Sequence, residues 1–250
     1  MMNLTNVIAT RPNKTVYRDG DLALKVFCEG YSKADILNEA LNHARVEETG
    51  LRIPQIVEVT KIDGKWSIIM QYIEGKTLAQ IMAENPDNMK DYLDQMLDIQ
   101  MEIHRQKAPL LTKLRDKMQR KISQTKLDAT TRYDLHTRLD AMPKHDVVCH
   151  GDFNPSNVII TAEGESYSLD WAHATQGNAS ADVARTYLIF RLAGKDLEAE
   201  MYLNLFCKKS DTAKQYVQKW MPIVAATQML KEMPAEQEFL KRWVYVVDYK

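Results

Sequence analysis

No apolar run in this chain approaches the roughly 20 residues that a membrane-spanning helix requires. The first six residues have neither a basic start nor an apolar core, so no signal peptide is expected. Cysteine is scarce and scattered. Cys28, Cys149 and Cys207 form neither a disulfide framework nor a metal spacing, which fits a cytoplasmic, reducing setting. An excess of one charge sign is also missing. A formal net charge of -1 offers nucleic acid or an anionic membrane no electrostatic hold, and neither is expected as a partner. His43, His104, His136, His145 and His173 show no H-E-x-x-H or other metal spacing and read as packing or surface residues. Repeats and low-complexity tracts are absent. What remains is ordinary globular material: 250 residues, 45% hydrophobic and 27% charged, enough for one large domain or two small lobes.

Two Asp-Gly dipeptides punctuate the start of the chain. Asp19-Gly20 separates Thr15–Arg18 from Leu22–Phe27, and Asp63-Gly64 separates Ile56–Ile62 from Trp66–Tyr72. Asp-Gly accepts the positive φ angles of a type I′ turn, so each pair predicts a tight hairpin. Between the hairpins a helix is expected. Ser32 and Asp35 make a capping box, Ile36, Ala40 and Ala44 an apolar stripe, and Gly50 a C-cap. A further strand is expected near Val7–Ala9. After Gly75 the pattern turns helical. Helices are predicted over Met89–Ile103, Leu114–Leu127, Tyr133–Ala141, Val183–Leu192, Leu197–Lys208, Thr212–Leu230 and Ala235–Tyr245. Only Val147–Trp171 interrupts them, with β-like runs at Val158–Ile160 and Tyr167–Leu169. The expectation is an α+β fold in two parts, residues 1–73 a small antiparallel sheet with one helix and residues 74–250 mainly helical.

The chemistry concentrates in His150-Gly151-Asp152-Phe153-Asn154-Pro155-Ser156-Asn157, followed by Asp170. Phosphoryl transfer needs a carboxylate beside the attacking hydroxyl and oxygen ligands for magnesium across the phosphates. Asp152 suits the first need, Asn157 and Asp170 the second. A kinase catalytic loop, H-R-D-x-x-x-x-N, spaces its aspartate and asparagine in the same way. The bland alternative is a turn, since Gly, Asp, Asn, Pro and Ser all favour turns, but so many matches at fixed offsets favour a site. A second signal is Ala23-Leu24-Lys25, which matches the Ala-x-Lys core of the kinase strand motif. Residues two apart share a strand face, so Ala23 and Lys25 look the same way, and Glu39 in the following helix is placed to pair with Lys25. Gly75-Lys76-Thr77 is not a P-loop, because the required earlier glycine is Met70.

These motifs resemble the aminoglycoside phosphotransferase and choline kinase superfamily, small-molecule kinases with a bilobal protein-kinase-like fold. The resemblance runs from about Thr15 to about Leu192. It implies ATP between the lobes, Asp152 as catalytic base, Asn157 and Asp170 as magnesium ligands, and Lys25 on the α- and β-phosphates. It also implies a hinge at Met70-Gln71-Tyr72-Ile73, where the backbone of Gln71 and Ile73 would bond adenine. Asp182 resembles the aspartate that braces the catalytic loop. The nucleotide loop Ala9–Thr15 contains no glycine, so phosphate grip there falls to Asn13, Thr15 or backbone amides.

The expected partner is therefore a small molecule with a hydroxyl: an aminoglycoside, amino sugar, amino alcohol or sugar. A catalytically silent nucleotide-binding regulator is the rival from another class, and Lys25, Glu39, Asp152, Asn157 and Asp170 together argue against it. A protein kinase is rejected, because Ala172–Ser180 is too short for an activation segment and no Ala-Pro-Glu follows. Two features bear on the acceptor. From Arg105 to Lys126 the chain carries Lys107, Lys113, Arg115, Lys117, Arg120, Lys121 and Lys126 against the single acid Asp116, as a solvated face or as a lid favouring neutral or anionic acceptors. Trp171, Trp220 and Trp243 could box a cationic amine but are better read as packing. A polycation would need acids, which the last third supplies in Glu198, Glu200, Asp211, Glu232, Glu236, Glu238 and Asp248.

Overall fold

Alternating apolar residues flanked by tight, glycine-bearing turns build the amino-terminal sheet. A computed structural model describes residues 2–245, and Asp248 lies outside them. The chain forms β1 (Val7–Arg11), β2 (Lys14–Asp19), β3 (Leu22–Phe27), α1 (Lys33–Glu47), β4 (Ile56–Ile62) and β5 (Lys65–Gln71). There follow β6 (Lys76–Thr77), α2 (Leu78–Glu84), α3 (Met89–His104), α4 (Leu114–Gln124) and α5 (Ala129–Ala141). Three short strands come next, β7 (Val147–Cys149), β8 (Val158–Ile160) and β9 (Ser166–Ser168), and then β10 (Thr175–Gly177). The chain continues through α6 (Ala179–Leu192), α7 (Asp196–Ser210), α8 (Lys214–Gln218), α9 (Met221–Met229) and α10 (Pro234–Val244).

Contacts divide the chain into two compact units. One holds the described residues up to Glu84 together with Pro155–Ala174, and the other holds Asn85–Asn154 and the residues from Thr175 on.

In the first unit five antiparallel strands lie in the order β1-β2-β3-β5-β4. β3 is central, and its alternation sorts the core. Ala23 and Phe27 pack with Ile36 and Ala40 of α1, while Leu24 and Val26 pack on the other face with Ile62 and Ile69. Each fully buried large aliphatic side chain contributes roughly 1.5–3 kcal/mol. The Ser32 side chain accepts the Asp35 N–H, so the expected cap starts α1. The C-terminus differs from expectation: the capping residue is Glu48 in a right-handed conformation, and Gly50 comes two residues later with φ 78°. The Asp63-Gly64 turn carries positive φ at both residues, as type I′ requires. The other hairpin does not. Asp19 pairs with Leu22, so the turn is Gly20-Asp21, and only its first residue has positive φ, the pattern of a type II′ turn. β6, β8 and β9 form a second small sheet in this unit. Gly75 precedes it because a Cβ there would stand 2.4 Å from the Ile160 carbonyl oxygen.

The second unit is helical, with β7 and β10 paired as a short ribbon. Leu93, Met96, Leu97, Gln100 and Ile103 recur at helical spacing and bury one face of α3. α6 is buried along most of its length and packs on α7 and α9. The single helix expected over Thr212–Leu230 is instead two, α8 and α9. Pro222 has no N–H to donate and its ring clashes with the carbonyl four residues back, so a continuous helix cannot pass it.

Candidate active site

Lys25 sits in the middle of β3, paired with Val16 of β2 and Ile68 of β5. Alternation puts it on the face that Ala23 and Phe27 present to α1. There its Nζ lies 2.6 Å from Glu39 Oε1, and both residues are buried. The Lys25 ammonium is also 3.5 Å from Asp170 Oδ1. Burial pulls the Lys25 pKa down, but the charges of Asp170 and Glu39 outweigh it and hold the group above its ordinary value.

Sequence reasoning missed a second ammonium. Lys14 Nζ lies 3.1 Å from Asp170 Oδ2 and 3.6 Å from Glu39 Oε1. The signal was available: Val16 lies opposite Lys25, so Lys14, two residues earlier on β2, shares its face. Asn13, by contrast, is exposed in the turn before β2, its carbonyl accepting the Cys28 N–H, and Thr15 is half-buried.

Asp170 reaches this cluster through a hairpin. β8 and β9 pair from Val158–Ser168 outward, and the Leu169 N–H donates to the Asn157 carbonyl, which sets Asn157 and Asp170 at the same end. Asp170 itself has φ 62°, ψ 66°, a left-handed conformation that aspartate tolerates better than most residues and that recurs at functional sites. Trp171 anchors the turn: it is fully buried, and its indole N–H donates to the Ser168 carbonyl at 3.1 Å. α1 packs against Trp171–His173 and Asn42 donates to the Ala172 carbonyl, so the same helix holds Glu39 and braces the turn after Asp170. Farther along the sheet, the Gln71 N–H donates to the Gln55 carbonyl at 2.8 Å, so that N–H is already engaged; Ile73 is buried.

In the second unit Asp182, in the first turn of α6, organises the loop after β7. Its Oδ1 accepts the Gly151 N–H at 2.7 Å. Its Oδ2 accepts the His150 N–H at 3.2 Å and the Gln100 amide at 3.1 Å, and lies 2.9 Å from His104 Nε2. Burial alone would raise the Asp182 pKa, but the hydrogen bond and charge of His104, the His150 charge and the Gly151 amide together hold it down at about 2. The loop is pinned on either side of Asp152. His150 and Phe153 are fully buried, His150 Nδ1 accepts the Asp152 N–H, and the Phe153 carbonyl accepts the Thr186 hydroxyl at 3.0 Å. Asp152 is left with a side chain 31% exposed, its Oδ1 3.5 Å from Arg185 Nη2. Arg185 is fixed in turn by Gln228 at 2.7 Å. Sequence reasoning did not single out Arg185, although it lies one turn after Asp182 on α6.

The remaining candidates are structural. Trp220 is buried, and Trp243 packs edge-on against Tyr187 and Phe239. Glu200 is held by Lys214 and Tyr187, Glu232 by Lys126 and Glu238 by Lys241. No cluster of three or more His, Cys, Asp or Glu residues able to hold a metal occurs among the described residues.

The model of the phosphotransferase enzyme family matches residues 10–217. Among solved structures, a thermostable mutant of aminoglycoside phosphotransferase APH(4)-Ia aligns with TM-score 0.69 at 15% identity, over 95% of this chain and 90% of that one. Choline kinase LicA from Streptococcus pneumoniae aligns with TM-score 0.65 at 17% identity, over 96% and 93%. An aminoglycoside-3'-phosphotransferase of type VIII gives TM-score 0.64 at 17% identity, over 93% of each chain. A variant of the first was solved in ternary complex with ADP and hygromycin B. At these identities the likeness establishes the kinase-like fold. No curated protein shows a significant sequence match.

Proposed function

The chain belongs to the phosphotransferase enzyme family, and on that premise we propose that it transfers the γ-phosphoryl group of ATP to a hydroxyl of a small molecule. The observation that carries the reading is the buried Lys25 ammonium between Glu39 at 2.6 Å and Asp170 at 3.5 Å. A lysine fixed by a helix carboxylate beside a second, more exposed carboxylate is the arrangement a nucleotide's phosphates and their metal require. The solved relatives support the donor, since one of them holds ADP.

Each predicted residue then has a task. Lys25 neutralises the α- and β-phosphates, and Glu39 fixes its direction. Lys14, the second ammonium on Asp170, adds a contact to the phosphates alongside Asn13 and Thr15. The Gln71 carbonyl and the Ile73 backbone receive adenine. Asn157 and Asp170 offer an amide and a carboxylate oxygen, the hard donors that magnesium takes, and their set of two leaves room for phosphate oxygens and water. Magnesium bound there would offset charge on the β- and γ-phosphates. Asp152 accepts the acceptor's hydroxyl proton as that oxygen bonds to the γ-phosphorus, the bond to the bridging oxygen breaks and ADP leaves. Asp182 positions this base through the Gly151 and His150 amides, and Arg185 orients its carboxylate.

The reading is tested with Lys25→Met, which keeps the stem and removes the charge. Acceptor-dependent ADP release should fall by about 10²-fold or more, in line with the loss of a positioned electrostatic contact. Wild-type turnover in that variant would remove Lys25 from the site and the reading with it.

A further inference from the structure

The basic run between Arg105 and Lys126 does not behave as one surface. Lys107 pairs with Asp146, Arg115 with Asp140 and Lys126 with Glu232. Lys117 and Lys121 differ. They lie four apart on α4, hence on one face of the helix, and both are half-buried. α4 packs on α9, and the residues just after α9 include Lys231. The charges of Lys121, Arg185 and Lys231 act on one another, and Asp152 acts on all three. Lys117 feels Lys121, Arg120 and Arg185.

The acids facing this cluster are already engaged. Asp152 lies 3.5 Å from Arg185, and Asp182 is bound to His104 and the loop amides. Glu236 accepts the Gln228 amide at 2.7 Å. The ammonium groups of Lys121 and Lys231 make no hydrogen bond or ion pair among the described residues. Burial, reinforced by the neighbouring cations, pulls Lys117 down to about 7 and Lys121 to about 8, and Lys231, an exposed residue at the edge of the cluster, is lowered as well by desolvation and by Arg185. Like charges gathered against burial are stabilised when an anion arrives among them.

We propose that the acceptor carries an anionic group, a phosphate or a carboxylate, which seats among Lys117, Lys121, Lys231 and Arg185 while its hydroxyl meets Asp152. The hydroxyl half of this inference rests on the phosphotransferase reading, and the anion half does not. The phosphoryl group moves as described above: the acceptor oxygen gains phosphorus, Asp152 takes the proton and ADP departs. A polycation such as an aminoglycoside, or a quaternary amine such as choline, meets repulsion at the same place.

The test separates the two halves. The full chain, without nucleotide, is titrated by calorimetry with inorganic phosphate, glycerate and choline in two buffers of different ionisation enthalpy near pH 7.5. Phosphate or glycerate should bind with proton uptake, because Lys117 and Lys121 must become fully charged as the anion seats among Arg120, Arg185 and Lys231, against Asp152, Asp182 and Glu236. Choline should not bind. In the Lys121→Gln/Lys231→Gln variant the anion should bind about tenfold or more weakly, as loss of charge-assisted contacts implies. Its melting temperature should match or exceed the wild type's, which distinguishes a lost site from a lost fold. With Mg-ATP, ADP release should follow glycerol 3-phosphate or glycerate, whichever anion the site takes, and not choline or kanamycin. Anion binding unchanged in the variant, no anion binding in the wild type, or turnover sustained by choline or kanamycin and indifferent to the variant would overturn the proposal. Variant-sensitive anion binding without ADP release for any acceptor would uphold the anion site and count against the kinase reading.

Discussion

Replacing Asp182 with Asn keeps the shape of a fully buried residue and removes the charge on which four donors converge. The Asp182 pKa stands at about 2 against an ordinary 3.8. At 1.36 kcal/mol per pKa unit, that difference corresponds to roughly 2 kcal/mol of folding stability. The sign follows from the direction. A carboxylate whose folded pKa is depressed contributes its full share above the unfolded value and loses it as pH falls through the folded one. The contribution is therefore whole at pH 7 and fades between about pH 4 and pH 2. The amide introduced by Asp182→Asn would accept through one oxygen and turn an N–H toward the remaining donors, adding a penalty of about 1–3 kcal/mol. Urea denaturation should show Asp182→Asn less stable than wild type by roughly 3–5 kcal/mol at pH 7, with the gap narrowing toward pH 2.5. A gap that stays constant from pH 7 to pH 2.5, or no destabilisation at all, would refute the claim that an ionised Asp182 pins the loop. Because the pinned loop carries Asp152, acceptor-dependent turnover should fall further than the unfolded fraction accounts for.

Asp170→Ala should abolish the strengthening of ATP binding by magnesium, yet leave metal-free ATP bound at least as tightly, since Lys14 and Lys25 lose a competing carboxylate. Fluorescence titration with and without the metal checks this, and undiminished magnesium enhancement would exclude Asp170 as a ligand. Gly75→Ala should lower the melting temperature by an amount equivalent to about 1–3 kcal/mol, because its Cβ would stand 2.4 Å from the Ile160 carbonyl and 2.8 Å from Ile159 Cγ2. Gly164→Ala, whose Cβ meets nothing within 4 Å, should cost only about 1 kcal/mol for its positive φ, and equal losses for the two variants would contradict the close-approach account.

The amino-terminal unit was legible because its signals are local. Apolar alternation, glycine-bearing turns next to Asp19 and Asp63, and the Ser32 cap each constrain only neighbouring residues, and together they give the chain order of five strands and one helix. The Lys25–Glu39 pair was legible for the same reason, since strand alternation and the helix cap place both groups on one side. Lys14 was not legible from its own segment, because its place beside Lys25 depends on the register in which β2 pairs with β3. Other features are tertiary. That Pro155–Ala174 groups with the amino-terminal sheet depends on β8 pairing with β6 and on α1 packing against the turn after Asp170, and no periodicity encodes either. Nor could spacing reveal that Lys117 and Lys121 gather with Arg185 and Lys231 while Lys107, Arg115 and Lys126 find surface acids. In the basic run, composition showed the charge, and only folding sorted it. The break at Pro222 was written in the sequence, but the apolar run across it masked the missing hydrogen-bond donor.

The central claim is that Asp152 serves as the base for phosphoryl transfer from ATP to a hydroxyl. It is tested most directly by Asp152→Asn, assayed for ADP release with Mg-ATP across anionic, neutral and cationic hydroxyl compounds, with ATP affinity measured in parallel. Losing a positioned base costs about 10²–10⁴ in rate. The account predicts a loss of that size for whichever acceptor the wild type uses, with ATP affinity nearly unchanged. Wild-type turnover in Asp152→Asn, or an equal loss of ATP affinity, would contradict it.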